Sequence, residues 1–239
     1  MRLYGKNPVI ERMRVRPDSV KKLYLRKRTE LSSVVKEAKR AGIKFESVED
    51  PFLRSICPGG NTQGVVAEVS DFEYSSFSDE LCRCVDDNST VLVFADGITD
   101  PQNLGGIVRN LACLGGFSLI IPKHDSVEIN ETVLRVASGG ENYLPVSRVS
   151  NTVSALRKAK GRGVWVAGAD ITGRVDIRAA RWKYPLAVVI GAEGRGIRPG
   201  VLKELDETIC LPMAGAQLSY NVSVAAALFC YEINRSKTP

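Results

Sequence analysis

Apolar and polar positions along the chain predict strands that alternate with helices. In the first 70 residues, alternating apolar positions predict a strand at 20–25, and apolar side chains recur at three- and four-residue spacing in the helix that follows. The predicted order is strand 20–25, helix 30–41, strand 43–48, helix 51–56 and strand 63–69. These elements form one small α/β unit of β-α-β-α-β order.

The alternation becomes regular from Val91 onward. Strands are predicted at 91–95, 117–121, 144–146, 164–169, 186–190 and 208–211, and helices at 100–114, 129–138, 152–160, 199–205 and 219–234. These strands are apolar throughout, which is typical of a parallel sheet buried on both faces. The fold class is therefore α/β, with a mostly parallel sheet in the C-terminal part.

An acidic, serine-rich stretch at 71–90 separates the two parts. The shift in composition predicts a small domain at 1–72, a linker at 73–89 and a larger domain at 90–239. A solvated surface helix inside one domain is the alternative interpretation of this stretch.

Charge is distributed unevenly along the 239 residues, although the net charge is only +6. Residues 1–45 hold 14 Lys or Arg and 4 Asp or Glu, a net charge of +10, whereas residues 46–90 carry −8 and residues 91–239 carry +4. Such asymmetry favours an anionic partner, nucleic acid above all, at the N-terminal part. A basic but merely solvated surface is the alternative.

Several classes of protein are excluded by composition. No apolar run approaches the roughly 20 residues that a membrane helix needs, and the N-terminus lacks the apolar region of a signal peptide. The six cysteines form no C-x-x-C pair, and His124 is the single histidine. We therefore expect a cytoplasmic protein with no membrane segment, no metal site and no catalytic histidine.

Three loops that follow predicted strands hold the residues best suited to chemistry, since sites in α/β folds gather at the carboxyl ends of strands. The first loop leads into a helix and contains Asn103, Gly105-Gly106 and Arg109. Asn103 and Arg109 lie about 240° apart on a regular helix, so they do not share a face. Arg109 has apolar neighbours and should be either paired or directed at a ligand. The two glycines indicate a close approach to the helix backbone.

The second and third loops are rich in small residues. The second, Gly191-Ala-Glu193-Gly-Arg-Gly196, follows an apolar strand but fits neither G-x-G-x-x-G nor a P-loop. The third runs from Pro212 to Ser223 and ends with Ser219, Asn221 and Ser223 at the start of the last helix. A helix N-cap accounts for one of these three side chains and not for all of them.

In this order and spacing the three loops resemble the motifs of the SpoU (TrmH-like) family of SPOUT 2′-O-ribose RNA methyltransferases. The resemblance covers about residues 91–235, through Pro122-Lys123, Asn130, Ser138-Gly-Gly-Glu141 and Pro145. The start at Tyr4-Gly5, the basic α/β unit and Gln63-Gly-Val65 resemble the L30e-like RNA-binding domain of the RlmB-type 23S rRNA subgroup.

The resemblance implies a trefoil-knotted methyltransferase domain, a homodimer and S-adenosylmethionine as cofactor. The matching cofactor-binding positions are Gly191, Leu211, Tyr220, Met213 and Gly215, and the matching catalytic positions are Arg109, Asn103, Glu193, Ser219 and Asn221. The expected RNA contacts of the basic domain are Lys21, Lys22, Arg26, Lys27 and Arg28.

The family's mechanism makes Arg109 the general base on the ribose 2′-hydroxyl. Because a guanidinium does not readily lose its proton, we expect Arg109 instead to hold the target phosphate and stabilise the developing alkoxide, with the phosphate or a water taking the proton. Glu193 would orient Arg109 or Asn103, and Ser219 and Asn221 would fix the ribose.

Two positions depart from the family pattern: Tyr220 replaces the usual Leu, and Thr62 replaces the usual His before Gln63. The second departure bears on which RNA is the substrate. A guanosine of 23S rRNA is the expected target, with tRNA as the nearest alternative. A non-catalytic RNA-binding protein of ribosome assembly is the alternative from another class, and the absent G-x-G-x-x-G argues against a nucleotide-binding oxidoreductase.

Overall fold

A computed structural model describes residues 1–86, 88–216 and 218–237. Its strands are β1 (Arg2–Tyr4), β2 (Val20–Arg26), β3 (Glu46–Val48), β4 (Val65–Val69), β5 (Val91–Asp96), β6 (Phe117–Pro122), β7 (Val146–Val149), β8 (Trp165–Ala169), β9 (Val175–Asp176), β10 (Leu186–Gly191) and β11 (Glu207–Cys210). Its helices are α1 (Lys6–Val15), α2 (Ser32–Arg40), α3 (Asp50–Ile56), α4 (Phe77–Asp86), α5 (Pro101–Leu114), α6 (Glu131–Ala137), α7 (Thr152–Lys160), α8 (Pro199–Leu202) and α9 (Val222–Lys237).

The chain forms two units, of which the first comprises Met1–Glu73 and Ile129–Tyr143. In its described residues, this unit has a four-stranded sheet of order β1-β4-β2-β3, where β2 and β3 are parallel and the other neighbours antiparallel. The later segment is held by a buried ion pair, in which the Arg12 guanidinium lies 3.0 Å from the Glu141 carboxylate. A hydrogen bond of 2.8 Å from the Tyr143 hydroxyl to Glu11 supports it.

The second unit comprises Tyr74–Glu128 and Leu144–Pro239. Over the described part of this unit, a seven-stranded sheet has the order β7-β6-β5-β10-β8-β11-β9, and every neighbouring pair is parallel. The prediction of a mostly parallel buried sheet is confirmed, since β5 and β6 are buried along their whole length. In this order β5, β10, β8 and β11 are successive neighbours, so the three loops that hold the candidate residues leave the same edge of the sheet.

The predicted linker at 73–89 contains the helix α4. Leu81 and Cys84 of α4 are buried in the core of the second unit, and the buried carboxylate of Glu80 accepts a 2.5 Å hydrogen bond from the Ser118 hydroxyl. Asp79 and Asp86 of α4 are exposed, so part of the acidic composition belongs to the outer face of a packed helix. The division of the chain at 73–89 stays a prediction.

Four further elements differ from the sequence prediction. The pattern did not predict β1, α1 or β9, and α9 begins at Val222 rather than Ser219. Asp100 caps α5, because its side chain accepts a hydrogen bond from the Gln102 amide. No helix in the described residues is long and apolar enough to span a bilayer. The trefoil knot stays a prediction.

Candidate active site

A cavity of about 450 Å³ lies at the carboxyl ends of β8, β10 and β11, beside the first turns of α9. Its volume falls in the range of roughly 300–1,000 Å³ that is usual for small-ligand sites. Four of the five predicted cofactor-binding residues line it: Gly191, Leu211, Met213 and Tyr220. The fifth, Gly215, is exposed and lies outside the lining.

Gly191 marks a crossing of two backbone segments at the floor of the cavity. A Cβ at this position would lie 2.6 Å from the carbonyl oxygen of Gly196 and still closer to the backbone of Ile197. The loop between them is closed by two backbone hydrogen bonds that join Ala192 and Gly196, of 3.1 and 2.8 Å. Any residue larger than glycine at 191 would therefore displace the loop that forms one wall of the cavity.

A chain of side-chain hydrogen bonds joins the three loops. The Asn103 amide donates to the Glu193 carboxylate at 3.0 Å, and the Asn221 amide donates to the Asn103 carbonyl oxygen at 2.8 Å. The Asn221 carbonyl oxygen in turn accepts from the Ser223 amide and hydroxyl, at 3.0 and 2.6 Å. Asn221 thus satisfies an N–H group of the first turn of α9 while it holds Asn103, and Asn103 is the partner of Glu193.

Ser219 and Arg109 take no part in this chain of hydrogen bonds. Ser219 lines the cavity together with Glu193. Arg109 is exposed on α5 and has no hydrogen bond or ion pair with any other residue that the structure describes, whereas Asn103 is buried on the same helix. The arginine is therefore free to meet a ligand, and the structure does not bring it to Glu193.

The glycine at 106 has a packing role. A Cβ there would lie 2.8 Å from the Cβ of Ser223, so α5 and α9 approach each other closely at this point. The amide of Asn110, one turn further along α5, donates to the carbonyl oxygen of Ser223 at 3.0 Å. The close approach predicted from the sequence is thus made by α9, which fixes Asn103 relative to the third loop.

An ion pair that the sequence analysis missed connects the first loop to the second. Asp96 is fully buried at the end of β5, and Arg198 follows the glycine loop. The Asp96 carboxylate accepts from the Arg198 backbone amide at 3.0 Å and from its guanidinium at 3.0 and 2.6 Å. This hydrogen bonding raises the pKa of the Arg198 guanidinium. A buried acid at a strand end was the available signal, but its partner lies 102 residues away.

We expect Asp96→Asn to lower the free energy of unfolding by about 2 kcal/mol, because the change weakens a charge-assisted pair on a buried carboxylate. Urea unfolding would measure it. Asp125→Asn is the matched control, since that carboxylate lies 3.8 Å from the same guanidinium but is 78% exposed. Equal stability of the two variants would contradict the importance of the buried pair.

The predicted RNA-binding cations fall into two groups. Lys21 and Lys22 are exposed on β2, and Arg28 is exposed in the following turn with a positive φ of 55°. Arg26 contacts Asp50 at 2.9 Å, and Lys27 contacts Glu49 at 3.1 Å. Hydrogen bonds from Arg26 and Arg54 hold the pKa of Asp50 below its ordinary value. Lys21, Lys22 and Arg28 are thus the more available for phosphates.

Comparison with known proteins agrees with the fold. Residues 90–231 match the SpoU rRNA methylase family, and residues 2–75 match the RNA 2′-O ribose methyltransferase substrate-binding family. The chain belongs to the SpoU rRNA methylase family.

Two of its relatives match over nearly their full length. A TrmH family protein of Bacillus subtilis, YacO, is 37% identical over 98% of this chain and 95% of its own. The 23S rRNA (guanosine-2′-O-)-methyltransferase RlmB of Ralstonia nicotianae is 35% identical over 99% of this chain and 96% of its own. The SpoU methyltransferase AviRb of Streptomyces viridochromogenes, solved with AdoMet, shares the fold, with a TM-score of 0.79 at 24% identity over 99% of this chain and 90% of its own.

Proposed function

We propose that this protein transfers a methyl group from S-adenosylmethionine to the 2′-oxygen of a ribose in RNA, with a guanosine of 23S rRNA as the target. The observation that carries the proposal is the hydrogen-bonded chain Glu193–Asn103–Asn221, which joins three separate loops beside a ligand-sized cavity. Packing alone does not require such a chain. The full-length relatives named as 23S rRNA guanosine-2′-O-methyltransferases support the choice of substrate.

The cavity suits this cofactor chemically. Apolar side chains from the loop after β11 and from α9, including Leu211, Met213 and Phe229, offer a surface for a flat base. The backbone groups of Gly191 and of the loop that follows it line the cavity and can supply the polar contacts. When bound, the cofactor supplies an electrophilic methyl group on its sulfonium.

The protein's own contribution is positioning and electrostatics. Glu193 fixes the amide of Asn103, and Asn221 fixes its carbonyl oxygen, so the orientation of Asn103 is set from both sides. Ser219 and Asn221 would hold the ribose. Arg109 would bind the phosphate next to the target and stabilise the charge that develops on the 2′-oxygen as its proton passes to phosphate or water.

Mapping 2′-O-methyl groups in rRNA and tRNA from cells with and without the protein tests the proposal. Loss of one modified guanosine in 23S rRNA is the expected result. Loss of a tRNA modification would move the substrate to tRNA while keeping the chemistry. Binding of RNA and cofactor without methyl transfer to any RNA would contradict an enzymatic role.

The exposed Lys21 and Lys22 of the first unit lead to a binding prediction. Replacing Lys21 and Lys22 together with glutamine should weaken RNA binding about tenfold and reduce the salt dependence by roughly two ion equivalents, because each lysine neutralises about one phosphate. Titration of an rRNA fragment at several salt concentrations measures both quantities. Lys27→Gln should have a smaller effect, since Lys27 already pairs with Glu49, and Lys203→Gln on the second unit is the matched control. Unchanged affinity and salt slope in the double variant would remove these lysines from the RNA interface.

We further propose a homodimer formed through α9. Val224, Leu228 and Tyr231 leave 40–60% of their surface exposed on this helix, although its other face is packed in the core. Such an exposed apolar stripe is typical of an interface. By light scattering, Leu228→Asp is expected to be a monomer, whereas the wild-type protein should be a dimer. Monomeric wild-type protein at micromolar concentration would refute the proposal.

A further inference from the structure

Three charged side chains line the cavity among the residues that the structure describes. Asp170 and Glu193 are acidic, and Arg195 is the one cation of the described lining. Asp170 accepts two hydrogen bonds of 2.7 Å from Thr172, and Glu193 accepts from Asn103. Arg195 has no ion pair or side-chain hydrogen bond with any described residue, even though two carboxylates share its cavity. Its positive charge is therefore available for a ligand.

The backbone holds Arg195 at the rim of the cavity. The two hydrogen bonds between Ala192 and Gly196 close a loop of five residues, and Arg195 lies inside that loop. Its neighbours Gly194 and Gly196 both have positive φ, of 74° and 68°, which glycine adopts readily. The Cα of Arg195 is thus fixed before any ligand arrives, and this reduces the entropy lost on binding.

The charges of the lining complement those of S-adenosylmethionine. The cofactor carries a positive sulfonium, a positive ammonium and a negative carboxylate, so it presents one anionic group. The apolar end of the cavity, formed by the loop after β11 and by α9, suits the adenine, whereas the loop with Glu193 and Arg195 leaves β10 next to Asn103. The methionine end of the ligand then lies toward this loop.

We propose that Arg195 binds the carboxylate of the cofactor's methionine moiety and selects for ligands that carry it. The inference rests on the proposed use of this cavity for the cofactor. A guanidinium matches a carboxylate with two parallel hydrogen bonds, which a lysine cannot reproduce. Arg195 is therefore a specificity residue of the cofactor site.

Calorimetric titration with S-adenosylmethionine and with its decarboxylated form, in the absence of RNA, tests the inference. Wild-type protein should prefer the intact cofactor by about tenfold. Arg195→Gln should weaken binding of the intact cofactor about tenfold but leave binding of the decarboxylated form unchanged or slightly tighter, because that ligand lacks the anion and is repelled by the arginine. Arg195→Lys should keep part of the preference.

Arg162→Gln is the matched control, since Arg162 precedes β8 and so lies at the opposite end of the strand from the cavity. The Arg162→Gln protein should keep the wild-type preference for the intact cofactor over its decarboxylated form. An Arg195→Gln protein with unchanged preference would overturn the inference, as would one that loses RNA affinity while both cofactor affinities stay normal, because the arginine would then face RNA. Failure of wild-type protein to bind either cofactor form would instead refute the proposed function.

Discussion

Replacing Arg109 with alanine is expected to lower the rate of methyl transfer about a thousandfold while cofactor affinity stays within about twofold of wild type. Arg109 is exposed and makes no polar contact with another described residue, so its removal breaks no interaction of the folded protein. Its absence from the lining of the cavity predicts an unchanged cofactor affinity. The loss of rate follows from the missing positive charge where negative charge develops on the ribose oxygen.

Arg109→Lys separates charge from geometry. Lysine keeps the positive charge but loses the planar fork that binds a phosphate through two hydrogen bonds. We expect this variant to recover part of the rate and to remain about a hundredfold below wild type. Single-turnover methyl transfer to an rRNA fragment, with cofactor affinity measured separately by calorimetry, gives both quantities.

Arg162→Ala is the control for Arg109→Ala, since it removes an exposed arginine from the loop before β8. It should transfer methyl groups at the wild-type rate. Full activity of Arg109→Ala would exclude a catalytic role for Arg109, and near-normal transfer by Arg109→Lys would show that its charge alone is sufficient.

The parallel sheet of the second unit was predictable because its central strands β5, β6 and β10 are mostly apolar and two of its helices begin with recognisable caps. Asp100 and Asn151 each accept a hydrogen bond from the first turn of the helix that follows them. The elements that escaped prediction lack such signals. β1 has three residues, and α1 buries Arg12 and Pro8 among its core-facing positions, so its apolar stripe is interrupted.

The sequence pattern also could not predict that Ile129–Tyr143 belongs to the first unit. Nothing in the local sequence marks Glu141 as buried, but it is buried beside Arg12, which lies 129 residues earlier. Local periodicity carries no information about partners at that separation. The same reason explains why the pairing of Asp96 with Arg198 was missed.

The sequence predicted the three loops of the candidate site but not the hydrogen bonds that join them. Sequence order placed Asn103, Glu193 and Asn221 after strands, and parallel topology brings those strand ends together. The sequence left open whether Glu193 orients Arg109 or Asn103. The geometry supports Asn103 as the residue that Glu193 orients, because the two side chains are hydrogen-bonded. Arg109 lies on another, exposed side of α5.

The second large effect is expected for Gly191→Ala, which should weaken cofactor binding about a hundredfold. The added methyl group would overlap the backbone of Gly196 and Ile197, and backbone cannot rotate aside as a flexible side chain can. The loop closed by Ala192 and Gly196 must then move, and it forms a wall of the cavity. Calorimetry with S-adenosylmethionine measures the affinity, and thermal unfolding checks that the variant is folded.

Gly215→Ala provides the matched comparison, because it makes the same chemical change at another position that the family resemblance assigns to the cofactor. Apart from its chain neighbours, no atom of the described residues would lie within 4 Å of a Cβ at Gly215, so this variant should bind the cofactor nearly as wild type does. The contrast between the two alanines depends on the crossing at Gly191 and not on a general need for glycine in these loops. If a folded Gly191→Ala protein bound as tightly as Gly215→Ala, the crossing would not shape the cavity, and the cofactor would have to bind elsewhere on the edge of the sheet.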